Sequence, residues 1–327
     1  MAHIATVKSH RSTGEEPVRV FVAGATGAIG LPLVCCLIAR GHLVYGTTRS
    51  LASEEVLSRF GAKPVLVDAL DGQAMRDAVC AARPDVVVEQ MTSLPRVNTP
   101  EARRAAASLH NRIRLVGGAN VHNAAIEAGA TRYVAQSSAF WCEPGEGLAP
   151  ESTSLATEVK APAVSAGART LFEVESRVLD SKLIEGTVLR YGFFYGPRTW
   201  YARDGSTADQ VRAREVPLIG SGLGLWSFVH VDDATVATVA AIESNSTGLY
   251  NITDDRPVAL QEWLPAYAQY LGAPPPPAMS EENARQILGE DAVFYATQLR
   301  GASNSKARRD LAFRPRALEW MAPAVPE

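Results

Sequence analysis

Val18-Arg19-Val20-Phe21-Val22-Ala23-Gly24-Ala25-Thr26-Gly27-Ala28-Ile29-Gly30 decides how this chain is read. The first six residues are mostly apolar and suit a buried strand. Gly24, Gly27 and Gly30 follow, and residues 29–39 read as a helix. A strand that turns through glycines into a helix brings unpaired N–H groups and the positive end of the helix dipole to one place, which suits a pyrophosphate. The first glycine allows the tight turn, the second lets backbone approach the phosphates, and the third lets helix and strand pack closely. A bare glycine triplet is a weak signal, but these flanks make it a dinucleotide loop formed by Gly24, Thr26, Gly27, Ala28, Ile29 and Gly30. The alternative is a turn that binds nothing.

Outward from the loop, strand and helix alternate. Strands are expected at 42–47, 64–67, 85–88, 133–137 and 187–191, with helices at 51–60, 73–82, 101–128 and 168–182. The strands are near-continuous apolar runs, the mark of a parallel sheet covered on both faces. The expected fold class is therefore α/β, a Rossmann-type doubly wound parallel sheet. After residue 191 the alternation breaks into Gly, Pro and aromatic residues, then returns with a strand at 228–231, a helix at 232–242 and a strand at 249–252. The expected organisation is a flexible N-terminal tail, 1–16, a dinucleotide-binding domain, 17–191 with 227–252 returning to it, and a smaller substrate-binding lobe from 192–226 and 253–327.

The second strand selects the cofactor. NAD sites commonly end that strand with an acidic residue that holds the ribose 2′-hydroxyl. Here it ends Thr47-Thr48-Arg49-Ser50, with no carboxylate from Leu31 to Ser53. Arg49 can pair with a 2′-phosphate and Ser50 can donate to it, which predicts NADP(H). Asp68, followed by Ala69, ends the third strand and can accept from the adenine amino group or cap the next helix. Gln90, Met91 and Thr92 end the fourth strand and should run along the cofactor.

The bulk numbers exclude some partners. With 327 residues, a formal charge of −3 and a pI near 6.1, nothing favours nucleic acid or an anionic membrane. No apolar run is long enough to span a bilayer. The first sixteen residues lack an apolar core and do not read as a signal peptide. Of the four cysteines, Cys35, Cys36, Cys80 and Cys142, the adjacent Cys35 and Cys36 fall in a helical pattern that suits buried thiols better than a disulfide. A cytoplasmic location is the expectation. Scattered histidines give no metal-ligand spacing.

These motifs resemble the short-chain dehydrogenase/reductases of the extended type. Later segments carry the likeness too: Leu189-Arg190-Tyr191-Gly192-Phe193-Phe194-Tyr195-Gly196-Pro197, Phe228-Val229-His230-Val231-Asp232-Asp233, and Gly248-Leu249-Tyr250-Asn251-Ile252. The likeness covers roughly residues 18 to 315. It implies catalysis by Ser/Thr with a Tyr-x-x-x-Lys pair on the helix after strand five, where the tyrosine moves the proton and the lysine lowers its pKa. The chain departs from that pattern. No tyrosine lies between Tyr133 and Tyr191, none of the nine has lysine four residues later, and residues 163–171 read AVSAGARTL. By the resemblance, Ser138 takes the catalytic Ser/Thr position and Ser137 lies beside the cofactor. Tyr191 falls where the family meets the nicotinamide. Tyr191 and Thr92 are the lesser catalytic candidates. Tyr191 reads equally well as a core aromatic, and Ser138 as a strand-closing serine. His230 and Asp232 are structural in the family.

Ser93, Phe140, Trp141, Phe194, Tyr195, Trp200 and Trp226 fall where the fold places a substrate cleft, which favours a bulky or flat small molecule. Arg198, Arg203, Arg212 and Arg214 could instead grip a nucleotide diphosphate. Three readings follow. The first is an NADPH-dependent ketoreductase on a bulky aromatic or polyketide ketone, with substrate or water supplying the proton. A few ketoreductases that tailor aromatic polyketides, including the angucyclinone type, resemble this pattern. The second is an NADP(H)-binding sensor without catalysis, and the third a sugar-nucleotide epimerase or dehydratase. The family habit implies a homodimer.

Overall fold

The computed structural model describes residues 17–244 and 246–321. The expected tail, 1–16, lies outside the described residues, as does 322–327. The chain alternates as β1 (Arg19–Ala23), α1 (Gly30–Ala39), β2 (Leu43–Thr48), α2 (Leu51–Arg59), β3 (Lys63–Leu66), α3 (Gly72–Ala82), β4 (Val86–Glu89), α4 (Pro100–Arg112), a π turn (Ile113–Gly117), α5 (Gly118–Glu127), β5 (Arg132–Ser138), α6 (Pro162–Leu179) and β6 (Glu185–Tyr191). Then come β7 (Phe193–Tyr195), α7 (Ser206–Arg212), β8 (Leu218–Ile219), β9 (Leu225–Trp226), β10 (Phe228–His230), α8 (Val231–Glu243) and β11 (Gly248–Ile252).

Seven strands make one parallel sheet in the order β11-β6-β5-β4-β1-β2-β3. Strand alternation sorts the core into two layers. Val20 and Val22 of β1 face α1 and α8, packing with Leu33, Leu37 and Ala237. Phe21 and Ala23 face α3 and α5, packing with Met75, Val79 and Val121. The apolar runs are buried on both sides because helices cover both sides.

Local chemistry starts the helices where the chain needs them. Ser50 caps α2, Asp71 caps α3, and Thr99 caps α4 ahead of Pro100. The expected helix 101–128 is continuous in direction but contains the π turn at 113–117, which ends in Gly117. Helix α6 starts at Pro162, six residues before the expected 168, because proline at the first turn costs no hydrogen bond.

Beyond β7 the chain builds a third, aromatic cluster. Helices α9 (Leu260–Tyr270), α10 (Glu281–Ile287) and α11 (Glu290–Thr297) surround it. Trp263, Tyr267, Phe228, Tyr195 and Phe294 are fully buried there. Trp263 meets Phe228 edge to face at 5.3 Å and Tyr195 meets Trp320 likewise at 5.2 Å. Among the described residues no helix is long and apolar enough to cross a membrane.

Candidate active site

The glycine loop has the shape its sequence demands. Gly24 adopts φ +90°, and a Cβ there would lie 2.6 Å from the Gln90 carbonyl oxygen. A Cβ on Gly30 would lie 2.1 Å from the Gly24 carbonyl. Both positions therefore exclude every side chain but hydrogen. Gly27 is exposed at the crest, and a Cβ there would reach only 3.4 Å from the Gly24 carbonyl, leaving its outer side open to a ligand. The Gly24 N–H donates to Thr47 Oγ1 at 2.9 Å, which ties the loop to β2. No side chain caps the N-terminus of α1. Leu31 donates to the Gly27 carbonyl at 3.2 Å and Pro32 has no N–H, so of the first turn the Gly30 N–H is left without an acceptor among the described residues, and with the glycine loop it fits a dinucleotide pyrophosphate. From beyond β7, exposed Arg198, at φ +66°, donates to the Thr26 carbonyl at 2.9 Å. That brings a guanidinium to the loop, a contact the sequence left open.

At the end of β2, Arg49 is exposed and makes no ion pair or hydrogen bond among the described residues. Ser50 is more committed than expected. Its oxygen accepts from the Ser53 N–H as the α2 cap and its hydroxyl donates to Ser53 Oγ at 2.9 Å. Asp68 is exposed and does not cap α3. It accepts from the Leu70 N–H at 3.0 Å in a tight turn, and Asp71 is the cap. Ala69 is nearly buried against Gly117, with its carbonyl taken by Asn120.

The strand ends separate the candidates by face. Ser137 and Arg190, paired across β5 and β6, point toward α6. The Ser137 hydroxyl donates to Glu175 Oε1 at 2.6 Å, and Glu175 forms a buried ion pair with Arg190. Ser137 is a structural residue, which corrects its assignment to the cofactor. Ser138 and Tyr191, also paired, point to the other face. The Ser138 hydroxyl is buried and has no hydrogen-bond partner among the described residues.

Tyr191 is 1% exposed, and its hydroxyl is fully engaged. It accepts from Gln90 Nε2 at 3.0 Å. Thr238 donates its own proton to the Ala234 carbonyl, so the 2.7 Å contact between the hydroxyls is Tyr191 donating to Thr238. Burial pushes the Tyr191 pKa up to about 12. Tyr191 packs as a buried core aromatic, which counts against its catalytic candidacy. Its role is to orient Gln90, whose Oε1 is buried and unpartnered. Met91 is nearly buried, whereas Thr92 and Ser93 are half-buried; the Ser93 N–H donates to His110.

The aromatic candidates divide likewise. Tyr195 is buried with its hydroxyl on the Ala317 carbonyl, and Trp226 is buried with its indole N–H on the Tyr295 carbonyl. Phe194 packs on the sheet core beside Tyr191. Tyr195 and Trp226 are core residues, a correction to the substrate set, whereas Phe194 is half-buried. Phe140, Trp141 and Trp200 stay half-buried. Phe140 stacks on Phe193 at 4.0 Å, and Trp200 donates to the Pro95 carbonyl at 3.0 Å. The Trp141 indole lies against α6 at Gly167, where a Cβ would fall 2.3 Å from the ring. Tryptophan thus fills space within the very segment, 163–171, that lacks the tyrosine. Its N–H donates to Tyr295 Oη at 2.8 Å.

His230 caps α8, accepting from the Asp232 N–H at 3.1 Å, as its structural reading requires. Of the other arginines, Arg203 stacks on Tyr270 and Arg212 pairs with Asp209, while Arg214 is exposed. Sequence reasoning missed the tie from Thr47 to the loop and the buried Glu89, which accepts from Tyr133 and Arg177. It also missed Tyr295, which no motif marks. Two open hollows lie elsewhere. One, of about 940 Å³ beside Arg132, Lys182 and Gly186, is at the N-terminal end of the strands. The other, about 410 Å³, lies behind the Glu175–Arg190 pair. Ligands of open α/β sheets bind at the carboxyl ends instead.

A dinucleotide cradle at the carboxyl ends of a doubly wound parallel sheet defines a nucleotide-dependent Rossmann protein. The chain belongs to the NAD dependent epimerase/dehydratase family, whose model matches residues 20–253. It is 45% identical to a 3-diazoavenalumate denitrifying reductase from a Streptomyces species, over 93% of this chain and 98% of that one. Among solved structures it resembles the UDP-glucose 4-epimerase of Thermus thermophilus in complex with NAD, with TM-score 0.69, 23% identity, 92% of this chain and 95% of that one. It also resembles the dTDP-glucose 4,6-dehydratase DesIV of Streptomyces venezuelae, with TM-score 0.71, 18% identity and coverage of 92% and 93%. At those identities the two structures speak for the fold alone. The family and the reductase relative make this chain an NAD(P)-dependent oxidoreductase.

Proposed function

We propose that this chain is an NADPH-dependent reductase that removes a diazo group from a hydroxylated aromatic small molecule. One observation carries the reading. The α6 segment that should hold the proton-donating pair holds Gly167 under Trp141, in a chain 45% identical to a diazo-compound reductase along nearly its whole length.

A ring carbon carries a neutral diazo group only when a conjugated oxygen shares the charge, so the substrate is equally a diazonium phenolate. When bound, NADPH would supply a hydride, and hydride plus this substrate yields dinitrogen, a new ring C–H bond and the phenolate. The nitrogen leaves as N2, and the phenolate takes its proton from water afterwards, since phenols titrate near pH 10. No acid is needed in the hydride step, which makes the Tyr-x-x-x-Lys pair dispensable. A carbonyl substrate, by contrast, develops an alkoxide that must be protonated.

The chain's own residues have three tasks. The glycine loop, the N-terminus of α1 and Arg198 hold the pyrophosphate. Arg49 at the end of β2 takes the 2′-phosphate, which selects NADP(H) over NAD(H). Ser138, buried and unpaired, donates to the substrate oxygen as charge grows on it, and half-buried Phe140 and Phe193 offer the ring a flat wall. Residues 192–226 and 253–321 form the substrate side.

The reaction is tested by incubating protein, NADPH and 3-diazoavenalumate while following absorbance at the reduced-cofactor band and evolved gas. One N2 per NADPH consumed is expected. NADPH oxidation without N2, or no oxidation, defeats the diazo reading. The free Ser138 hydroxyl also suits reduction of a bulky aromatic ketone. A ketone panel that consumes NADPH and yields alcohols, without diazo turnover, selects that second reading.

A further inference from the structure

Trp141 and Tyr295 are an arrangement that the hydride chemistry above leaves unused. Tyr295 lies on α11, far in sequence from the strands. Two indoles hold it: Trp226 donates to its carbonyl at 3.0 Å and Trp141 to its hydroxyl at 2.8 Å. Trp141 is itself held by Gly167, because only glycine admits the ring so close to α6. The Tyr295 ring sits 6.2 Å from Phe193 and 5.7 Å from Trp226, at the edge of the half-buried aromatic wall.

A tyrosine hydroxyl has one proton to give and two lone pairs to receive. The Trp141 N–H occupies a lone pair. The Tyr295 proton has no acceptor among the described residues. Burial raises the Tyr295 pKa, while Arg103 on α4 and the indole N–H each oppose that rise without cancelling it. The hydroxyl therefore stays protonated at neutral pH. Accepting a hydrogen bond also polarises an O–H and makes it a better donor.

We propose that Tyr295 donates a hydrogen bond to the ring oxygen of the bound aromatic substrate, and that Trp141 is the positioning residue that aims it. The tyrosine absent from α6 is thus replaced, from the neighbouring helix α11, by a donor that binds the oxygen and transfers no proton. This rests on the hydroxy-aromatic reading above. It does not depend on whether the reacting group is diazo or carbonyl.

The test uses the full chain saturated with NADP+ and titrated with 4-hydroxycinnamate, following the ultraviolet band of the phenol. Tyr295→Phe should weaken binding about tenfold, the scale of one lost hydrogen bond, and abolish the red or blue shift that the wild type imposes on the phenol band. Trp141→Phe, which keeps a ring over Gly167 but has no N–H, should show a smaller loss. The double variant should be no worse than Tyr295→Phe alone, because Trp141 acts through Tyr295. NADP+ affinity of Tyr295→Phe should match the wild type, and its melting temperature should fall only modestly, by the lost acceptor of the half-buried Trp141 N–H. If Tyr295→Phe binds the phenol as tightly as the wild type, or if the wild type does not bind it, the proposal is overturned. Additive losses in the double variant overturn the positioning role. Turnover of 3-diazoavenalumate, measured in parallel, judges the diazo reading separately: phenol binding that depends on Tyr295 without diazo turnover keeps this inference and removes that one.

Discussion

The proposed preference for NADP(H) over NAD(H) rests on Arg49, which follows the end of β2. Its side chain is exposed and unpaired among the described residues. Arg49→Ala should weaken NADPH binding by about 1.5–3 kcal/mol, the worth of a hydrogen bond to a charged group, and leave NADH nearly unchanged. Titration of both cofactors decides it, and equal losses would sink the assignment. Ser138 answers to a different readout. Ser138→Ala should lower kcat about 10²-fold, the scale of one donor to a developing oxyanion, with cofactor affinity unmoved. Full turnover in that variant would make Ser138 a strand-closing residue. Tyr191 should behave as a core residue. Tyr191→Phe strands Gln90 Nε2 and Thr238 without their partner, so stability should fall by about 1–3 kcal/mol while turnover stays within about tenfold of the wild type, well short of losing a general acid. A thousandfold loss of turnover with the fold intact would restore it as the acid. Serine 137 and 138 show what sequence can and cannot resolve here. Their motif located the strand end, but which hydroxyl points to Glu175 and which stays free is a matter of strand face, set by register.

At the scale of elements, the strand–glycine–helix unit was legible because local sterics alone dictate it. Gly24 and Gly30 are fixed by backbone atoms 2.6 and 2.1 Å from their missing Cβ positions. Gly30→Ala should therefore displace the loop from α1 and weaken NADPH and NADH alike, unlike Arg49→Ala. Equilibrium binding of both cofactors separates the two, and a Gly30→Ala protein that still binds as the wild type would show that the loop yields. The parallel sheet was equally legible, since its strands are continuous apolar runs covered on both faces. What escaped was pairing at long range. Tyr195 and Trp226 have the composition of cleft residues, yet Trp320 and Trp263, from distant segments, close over them. Tyr295 escaped for the converse reason: only the packing of α11 on residues of β5's loop and α6 brings it to Trp141. The start of α6 was missed by six residues because its first turn is set by Pro162 and by Asp291 of α11, which accepts from the Ala163 and Val164 N–H groups.

The whole molecule should carry its charge economy into a measurable pH optimum of stability. Asp254 follows β11, is 3% exposed, and has neither carboxylate oxygen hydrogen-bonded by geometry. Burial pushes its pKa up to about 8. Burial also lowers His110 to about 3 and His122 to about 4, with neighbouring arginines adding to it. The two histidines bind protons in the unfolded chain below their ordinary value near 6.5 but not in the folded one. Their contribution is present above that value and is lost as pH falls toward 4 and 3. Asp254 has the opposite sign. The folded state holds its proton up to about pH 8, whereas the unfolded state releases it near 4. Its contribution is full below 4 and is lost as pH rises through 8. Between 4 and 6.5 two histidines outweigh one aspartate, so stability rises with pH. Between 6.5 and 8 only Asp254 acts among these three, so stability falls, by up to about 2 kcal/mol. The expected maximum is near pH 6.5. Asp254→Asn cannot ionise, so the variant should lose the descent from 6.5 to 8 and climb about twice as steeply between 4 and 6.5, where only the two histidines then act. Urea unfolding at half-unit pH steps, wild type against variant, reads this directly. Parallel curves across pH 6.5–8 would mean that Asp254 is already ionised in the folded protein at neutral pH, with water or the Arg256 N–H holding its charge.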